Sequence, residues 1–263
     1  MLEVVQPAIS LVIPVFNGET IIAESVERVS GFLDTTGLDA EVIVVDDGST
    51  DGTHGVVQSI ADSRVRGLRL PENRGKFAAI KAGMATADGV CRIFTDADIP
   101  FDLEAVPHML DLVSGGGFHI VVGDRTLPDS ENDGRQTLPR RIATRVFSFS
   151  VRMLVTGELF DTQVGLKAFR GDVAAELFPM VTDDGFAGDV ELLYIALKHN
   201  LAIRRIPVRL RRSGPSTVRL LGHSLPMLVR IAGLRRRWAG GRYDSPGLRA
   251  VADQRYWMAD HRD

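Results

Sequence analysis

The sequence predicts an α/β fold built on a doubly wound, mostly parallel, Rossmann-like sheet, and three observations predict it. Ile9 to Phe16 (ISLVIPVF) and Glu41 to Asp46 (EVIVVD) are short, β-branched and almost wholly apolar, the pattern of strands covered on both faces. Between them, Ala23 to Leu33 carries apolar residues at helical spacing, which completes a βαβ unit with a right-handed crossover. Strand-like and helix-like stretches then continue to alternate, as they do in a parallel sheet with helices on both faces.

The remaining elements follow in order. A helix is expected near Thr53 to Ala61, a strand at Val65 to Leu70, a helix at Lys76 to Ala87 and a strand at Val90 to Thr95. That strand ends abruptly in Thr95-Asp96-Ala97-Asp98, which puts two carboxylates at its C-terminal end, where open α/β sheets bind ligands. A helix over Leu103 to Val113 and a strand over His119 to Gly123 come next. Thr126 to Thr137 is polar, glycine-bearing and weakly periodic, a mobile loop by composition. A long helix from Arg140 to Val155, a strand at Gly165 to Phe169, a helix from Val190 to His199 and a strand at Ala202 to Leu210 complete the pattern.

With 263 residues and 44% hydrophobic content, the chain can bury one sizeable core, read as one domain over residues 1–219 and a basic, amphipathic, helical C-terminal extension over 220–263. The single cysteine, Cys91, excludes an intrachain disulfide and suits a reducing compartment, so a cytoplasmic location is expected. The start, MLEVVQPAISLVIPVFN, lacks the basic segment and cleavable apolar core of a signal peptide, and no run approaches the roughly 18–20 apolar residues of a spanning helix. A soluble or peripheral protein is therefore expected. No Gly-x-Gly-x-x-Gly follows the first strand, which argues against a dehydrogenase.

Net charge is only −3, but the cations cluster. Between Asn200 and Tyr243 stand eleven arginines (204, 205, 209, 211, 212, 219, 230, 235, 236, 237 and 242) and no acidic residue. Such a block seeks phosphate, lipid head groups or nucleic acid. Only Trp238 and Tyr243 supply aromatic rings nearby, and a nucleic-acid partner would leave the acidic turn unexplained, so none is expected. His223 is a metal ligand in principle, although a single histidine in a basic tail reads more simply as polar surface.

Asp96 and Asp98 are the candidate metal ligands. Two carboxylates one residue apart on a turn present oxygens to Mg2+ or Mn2+ while water and phosphate fill the other positions. An isolated Asp-x-Asp says little, since turns are rich in aspartate. Here the ends of the first two strands, Pro14-Val15-Phe16-Asn17-Gly18-Glu19 and Val45-Asp46-Asp47-Gly48-Ser49, lie at the same edge of the expected sheet and would make a pocket with it. Ser49, Thr50 or Asp51 also suits a helix cap.

On these residues the chain resembles the family 2 glycosyltransferases of the GT-A fold, from about Pro7 to Arg219, through IPVFNGE, VVDDGSTDGT, ENRGK and TDADIP in order and spacing. It most resembles the polyprenyl-phosphate branch, the dolichyl-phosphate glucosyltransferases and mannose synthases, through VVGDR (121–125), DTQVGLKAF (161–169) and GFAGDVELL (185–193), and its Asp-Thr-Gln form leans to the glucosyl members. The resemblance implies a nucleotide-sugar donor, UDP-sugar favoured, with Pro14, Asn17 and Glu19 lining its pocket and Asp46, beside Asp47, on a uracil-type base. It also places Asp96, Ala97 and Asp98 at the ribose and metal. Lys76, opening a helix, approaches the donor or is a solvated first-turn lysine. The acceptor-phosphate positions correspond to Arg125, Arg140 and Thr144, with Arg141 a possible substitute; Asp124 stands where the branch has serine, and Gly18 where it has glutamate.

The implied reaction is an inverting displacement at the anomeric carbon by a polyprenyl phosphate, a nucleophile already ionised at neutral pH that needs no strong base. A soluble hydroxyl acceptor would need one, for which Asp189 and then Glu191 are the candidates; two apart at a helix start, they cannot face the same way. The C-terminal segment is read as an anionic-membrane anchor on the cytoplasmic face. Leu220 to Leu234 gives an apolar helix face, Arg235, Arg236 and Arg237 a basic cluster, and Trp238 an interfacial ring. The alternative is that this helix packs on the enzyme's own core.

Overall fold

A computed structural model describes residues 6–130, 164–210, 230 and 233–253. Seven strands form one sheet in the order β3-β2-β1-β4-β6-β5-β7. They are β1 (Ile9–Val15), β2 (Ala40–Asp46), β3 (Val65–Arg69), β4 (Cys91–Phe94), β5 (Ile120–Asp124), β6 (Lys167–Arg170) and β7 (Ile203–Pro207). β3, β2, β1 and β4 are mutually parallel, as are β5 and β7. The apolar pattern did not reveal that β6 runs antiparallel between β4 and β5. Its N-terminal end therefore lies at the edge where β4 and β5 finish.

The buried strands divide their side chains between two faces with a period of two. Val12, Ile43, Val45 and Phe94 point into one core, with Phe77, Phe169 and Phe178. Leu11, Ile13, Val42, Val44 and Ile93 point into the other, under α1 (Ile22–Thr36), α2 (Thr53–Gln58) and α4 (Ala105–Ser114). α1 buries Ile22, Val26, Val29 and Leu33 along one stripe and ends in a left-handed glycine, Gly37. The first face is covered by α3 (Lys76–Thr86), α5 (Gly171–Leu177) and α6 (Gly188–Lys198). Every residue of α6 from Gly188 to Ala196 is buried, which is why its apolar pattern runs all round. α5 is too short to leave a periodic signal, and the sequence did not suggest it.

At the C-terminal end, α7 (Leu234–Ala239) and α8 (Pro246–Asp253) lie against the first face: Leu234, Tyr243 and Leu248 belong to its core. Trp238, expected to face lipid, packs edge-on to Tyr194 and His199 with ring centroids 6.4 and 5.3 Å apart. Arg237 donates to the Tyr243 hydroxyl at 2.6 Å. Of the segment Leu220 to Leu234, only 230, 233 and 234 are among the described residues. The expected loop beyond Ser130, the expected helix from Arg140 to Val155, and Arg140, Arg141, Thr144 and His223 also lie outside them. No described helix is long and apolar enough to cross a membrane.

Candidate active site

The site lies at the edge where β1, β2, β4 and β5 finish and β6 starts. β1 tolerates Pro14 because its pairing with β4 ends at Val12 opposite Phe94, so the missing N–H interrupts no ladder on that side. The turn after β1 is then tied to the turn after β2. Asn17, with a left-handed φ of 49°, accepts from Thr50 N at 2.9 Å, and its own N–H donates to Ser49 Oγ at 2.9 Å. Glu19 Oε2 accepts from Gly52 N at 3.0 Å, and Gly18 N donates to Thr53 Oγ1 at 2.8 Å.

Two buried carboxylates stand beneath these turns. Asp46 Oδ1 accepts from Ser49 N at 2.8 Å, while Oδ2 accepts no hydrogen bond, with Arg69 Nε at 3.5 Å and His54 Nδ1 at 3.8 Å. Asp47 accepts from Arg74 N at 2.9 Å and Gly75 N at 2.8 Å. Burial pushes the Asp47 carboxyl up despite these bonds, with Asp46 adding to the rise. Asp47 thus shapes the turn that starts α3. Gly75 has φ 108°, and a Cβ there would meet the Asp184 carbonyl at 2.5 Å, so this turn requires glycine.

Lys76, the first residue of α3, reaches Asp96 Oδ1 at 2.5 Å. Burial works against its charge, but Asp96, Asp189 and Asp98 outweigh that and hold the ammonium above its ordinary pKa. Burial likewise opposes ionisation of Asp96, yet Lys76, then Lys167 and Arg125, keep its carboxyl below the usual range. Asp98, exposed, is pushed up by desolvation and by repulsion from Asp96. The turn closes with Ile99 N donating to Asp96 O at 3.0 Å, which places Ile99 at φ 41°, strained for a β-branched residue. Burial of Ile99 and a 3.2 Å bond from Arg28 to its carbonyl hold it there.

Antiparallel β6 brings two residues that sequence reasoning missed. Gly165, just before β6, backs directly onto Asp96: a Cβ would sit 2.7 Å from Oδ1 and closer still to Oδ2. Lys167, fully buried over the Phe94 ring, donates to Asp189 Oδ1 at 2.7 Å and to Val164 O at 2.6 Å. The only sequence signal for either was their place in the DTQVGLKAF stretch.

The structure thus gathers Lys76, Asp96, Ala97 and Asp98, with Arg125 near enough for its charge to act on Asp96. Both base candidates lie inside the fold. Asp189 is 2% exposed and committed to Lys167, whereas Glu191 is 1% exposed and points the other way. Glu191 accepts from Thr182 N (3.1 Å), Thr182 Oγ1 (2.7 Å), Asp183 N (2.8 Å) and the Tyr243 hydroxyl. Pro14 is buried in β1, and Asn17 and Glu19 act on the neighbouring turn through the bonds given above.

Among the described residues no group of three or more metal-ligating side chains occurs. Asp96 and Asp98 form a two-oxygen donor set on an accessible turn. That fits an ion such as Mg2+ or Mn2+, which keeps waters and takes substrate phosphates as its remaining ligands.

A mostly parallel sheet carrying an Asp-x-Asp turn on the carboxyl edge of its fourth strand, with a lysine and an arginine facing it, places the protein in the class of GT-A glycosyltransferases. The chain belongs to glycosyl transferase family 2, whose family model matches residues 10–178. Among curated proteins it is 29% identical over 246 residues to dolichyl-phosphate β-glucosyltransferase of Dictyostelium discoideum, covering 89% of this chain and 75% of that one. It is 31% identical over 215 residues to the Drosophila melanogaster enzyme of the same name, covering 76% of this chain and 66% of that one. Among solved structures, mannosyl-3-phosphoglycerate synthase of Rubrobacter xylanophilus matches with TM-score 0.67 at 21% identity, over 92% of this chain and 78% of that one. Glucosyl-3-phosphoglycerate synthase of Mycobacterium tuberculosis, crystallised with Mn2+, UDP-glucose and phosphoglyceric acid, matches with TM-score 0.64 at 22% identity, over 89% and 80%. These two likenesses speak for the fold.

Proposed function

We propose that the protein transfers glucose from UDP-glucose to a polyprenyl phosphate with inversion at the anomeric carbon. One observation carries the choice of acceptor: the two carboxylates placed to act as a base, Asp189 and Glu191, are buried and hydrogen-bonded. A hydroxyl acceptor would need its proton taken, whereas a lipid phosphate arrives ionised. The curated relatives, named as dolichyl-phosphate β-glucosyltransferases, support the same choice.

Asp46 Oδ2, which accepts no hydrogen bond although Arg69 lies at ion-pair distance, supports a uracil donor, because the uracil N3–H supplies the bond this buried oxygen lacks. Lys76 is placed to meet the diphosphate from the side of Asp96. Asp96 and Asp98 would hold a divalent ion, which when bound neutralises charge on the departing diphosphate. Arg125 suits the acceptor phosphate through its planar fork. Rate enhancement then rests on alignment and fixed charges.

The test is a panel of labelled UDP- and GDP-sugars incubated with polyprenyl phosphate and Mg2+ or Mn2+, followed by extraction into organic solvent. Label from UDP-glucose should enter the organic phase. Transfer only from a GDP-sugar, or only to soluble hydroxyl acceptors, would overturn the proposal.

A further inference from the structure

Glu191 joins two parts of the molecule that are far apart in sequence. On one side it accepts from the Tyr243 hydroxyl, which itself accepts from Arg237 Nε at 2.6 Å; the Tyr243 carbonyl lies 2.8 Å from His199 Nε2. On the other side it accepts from Thr182 and Asp183, fixing the segment that leads into α6. That segment in turn anchors α3. The Asp184 carbonyl accepts from Phe77 N at 2.9 Å and Ala78 N at 3.2 Å, filling the role of an N-cap that no side chain supplies. Asp184 also pairs with Arg74 at 3.4 Å, one residue before the Gly75-Lys76 start, and with Lys81 at 2.5 Å, in the second turn of α3.

We propose that Glu191 is a positioning residue through which the C-terminal segment, by way of Tyr243, sets the start of α3 and so holds Lys76 in register with Asp96. This rests on the donor site described above, since Lys76 is its cation. The path is short: Tyr243 to Glu191, Glu191 to Asp183, and Asp184 to the first turn of α3. Two of the groups along it, Tyr243 and Glu191, are buried, so removing the Tyr243 hydroxyl takes from Glu191 Oε1 one of its two donors, leaving Thr182 Oγ1 alone on it, takes from Arg237 Nε its acceptor, and loosens the next link.

The experiment uses Tyr243→Phe, which keeps the ring in the core and removes only the hydroxyl. Amide hydrogen exchange on the full chain, without ligand, should show faster exchange, by about tenfold, at Thr182 and Asp183 and also at Phe77 and Ala78. UDP titrated calorimetrically in the presence of Mn2+ should bind five- to tenfold more weakly. In a Lys76→Met background the same change should have no further effect on UDP, because the path ends at Lys76. Glu191→Gln, which retains an acceptor oxygen, should fall between wild type and Tyr243→Phe in both measurements. The inference is overturned if exchange rises at 182–183 while 77–78 stay as in wild type, or if the effects of Tyr243→Phe and Lys76→Met on UDP multiply. Exchange behaving as expected in a wild-type protein that binds no UDP would overturn the donor assignment and leave the structural path standing.

Discussion

Replacing Asp189 by asparagine separates the role of a general base from that of counter-charge to a buried lysine. In the structure Asp189 is the counter-charge of Lys167, which is wholly buried and, among the described residues, has no other anion bonded to it. Removing one partner of such a pair leaves an uncompensated buried charge, at a cost of about 3–5 kcal/mol. For a domain of this size each kcal/mol moves the melting temperature by roughly 2–4 °C, so Asp189→Asn should melt about 6–20 °C below wild type. The double replacement Lys167→Met, Asp189→Leu removes both charges and should recover most of that loss. At a temperature where the single variant is still folded, kcat/KM should stay within about tenfold of wild type, since loss of a general base would cost about 100- to 10,000-fold. Differential scanning calorimetry beside steady-state kinetics decides the matter. A variant that melts like wild type but has lost turnover a hundredfold or more would refute the ion-pair argument and restore Asp189 as the base.

Three further outcomes are expected. Gly165→Ala should push the Asp96 carboxylate out of place and lower kcat/KM by about 100-fold, with a melting point within a few degrees of wild type, because a shift on the order of 1 Å at a reacting centre is enough; Mn2+ binding followed by electron paramagnetic resonance should weaken in parallel. Asp98, whose carboxyl is pushed up in the folded state by partial desolvation and by Asp96, favours folding when protonated, and that contribution fades as pH rises through its folded pKa. Asp98→Asn should therefore melt higher than wild type at neutral pH without metal, the gain vanishing in acid, while its turnover falls at least tenfold. Arg125→Ala should raise the KM for polyprenyl phosphate tenfold or more and change UDP affinity less than threefold, read by kinetics and calorimetry.

The sheet was legible because its strands are apolar on both faces and end in turns: β1, β2 and β4 and their carboxyl-edge residues all follow from that pattern. Asp96 and Asp98 were readable for the same reason, since an acidic turn after a buried strand stands out. What could not be read depends on contacts between distant segments. Gly165 and Lys167 meet the site only because β6 reverses direction, and an apolar run carries no sign of its direction. The environments of Asp189 and Glu191 were hidden because α6 is buried all round, so periodicity names no solvent face. For Asn17 and Glu19, the bonds to the turn after β2 arise from a juxtaposition of loops that spacing does not encode.

The placement of β6 also has a consequence for synthesis on the ribosome. β5 leaves the exit tunnel before β6, yet within the sheet it pairs only with β6 and β7. At roughly 5–20 residues per second, the 43 positions from Asp124 to Lys167 take about 2–9 seconds to make. Through that interval the edge of β4 and both edges of β5 stand open, with Ile93, Phe94, Val121 and Val122 uncovered on the nascent chain. The Asp96 turn, walled by Gly165, is completed only when that late strand threads between two earlier ones. Slow codons or a holding chaperone would have most influence on the yield of active enzyme in this stretch.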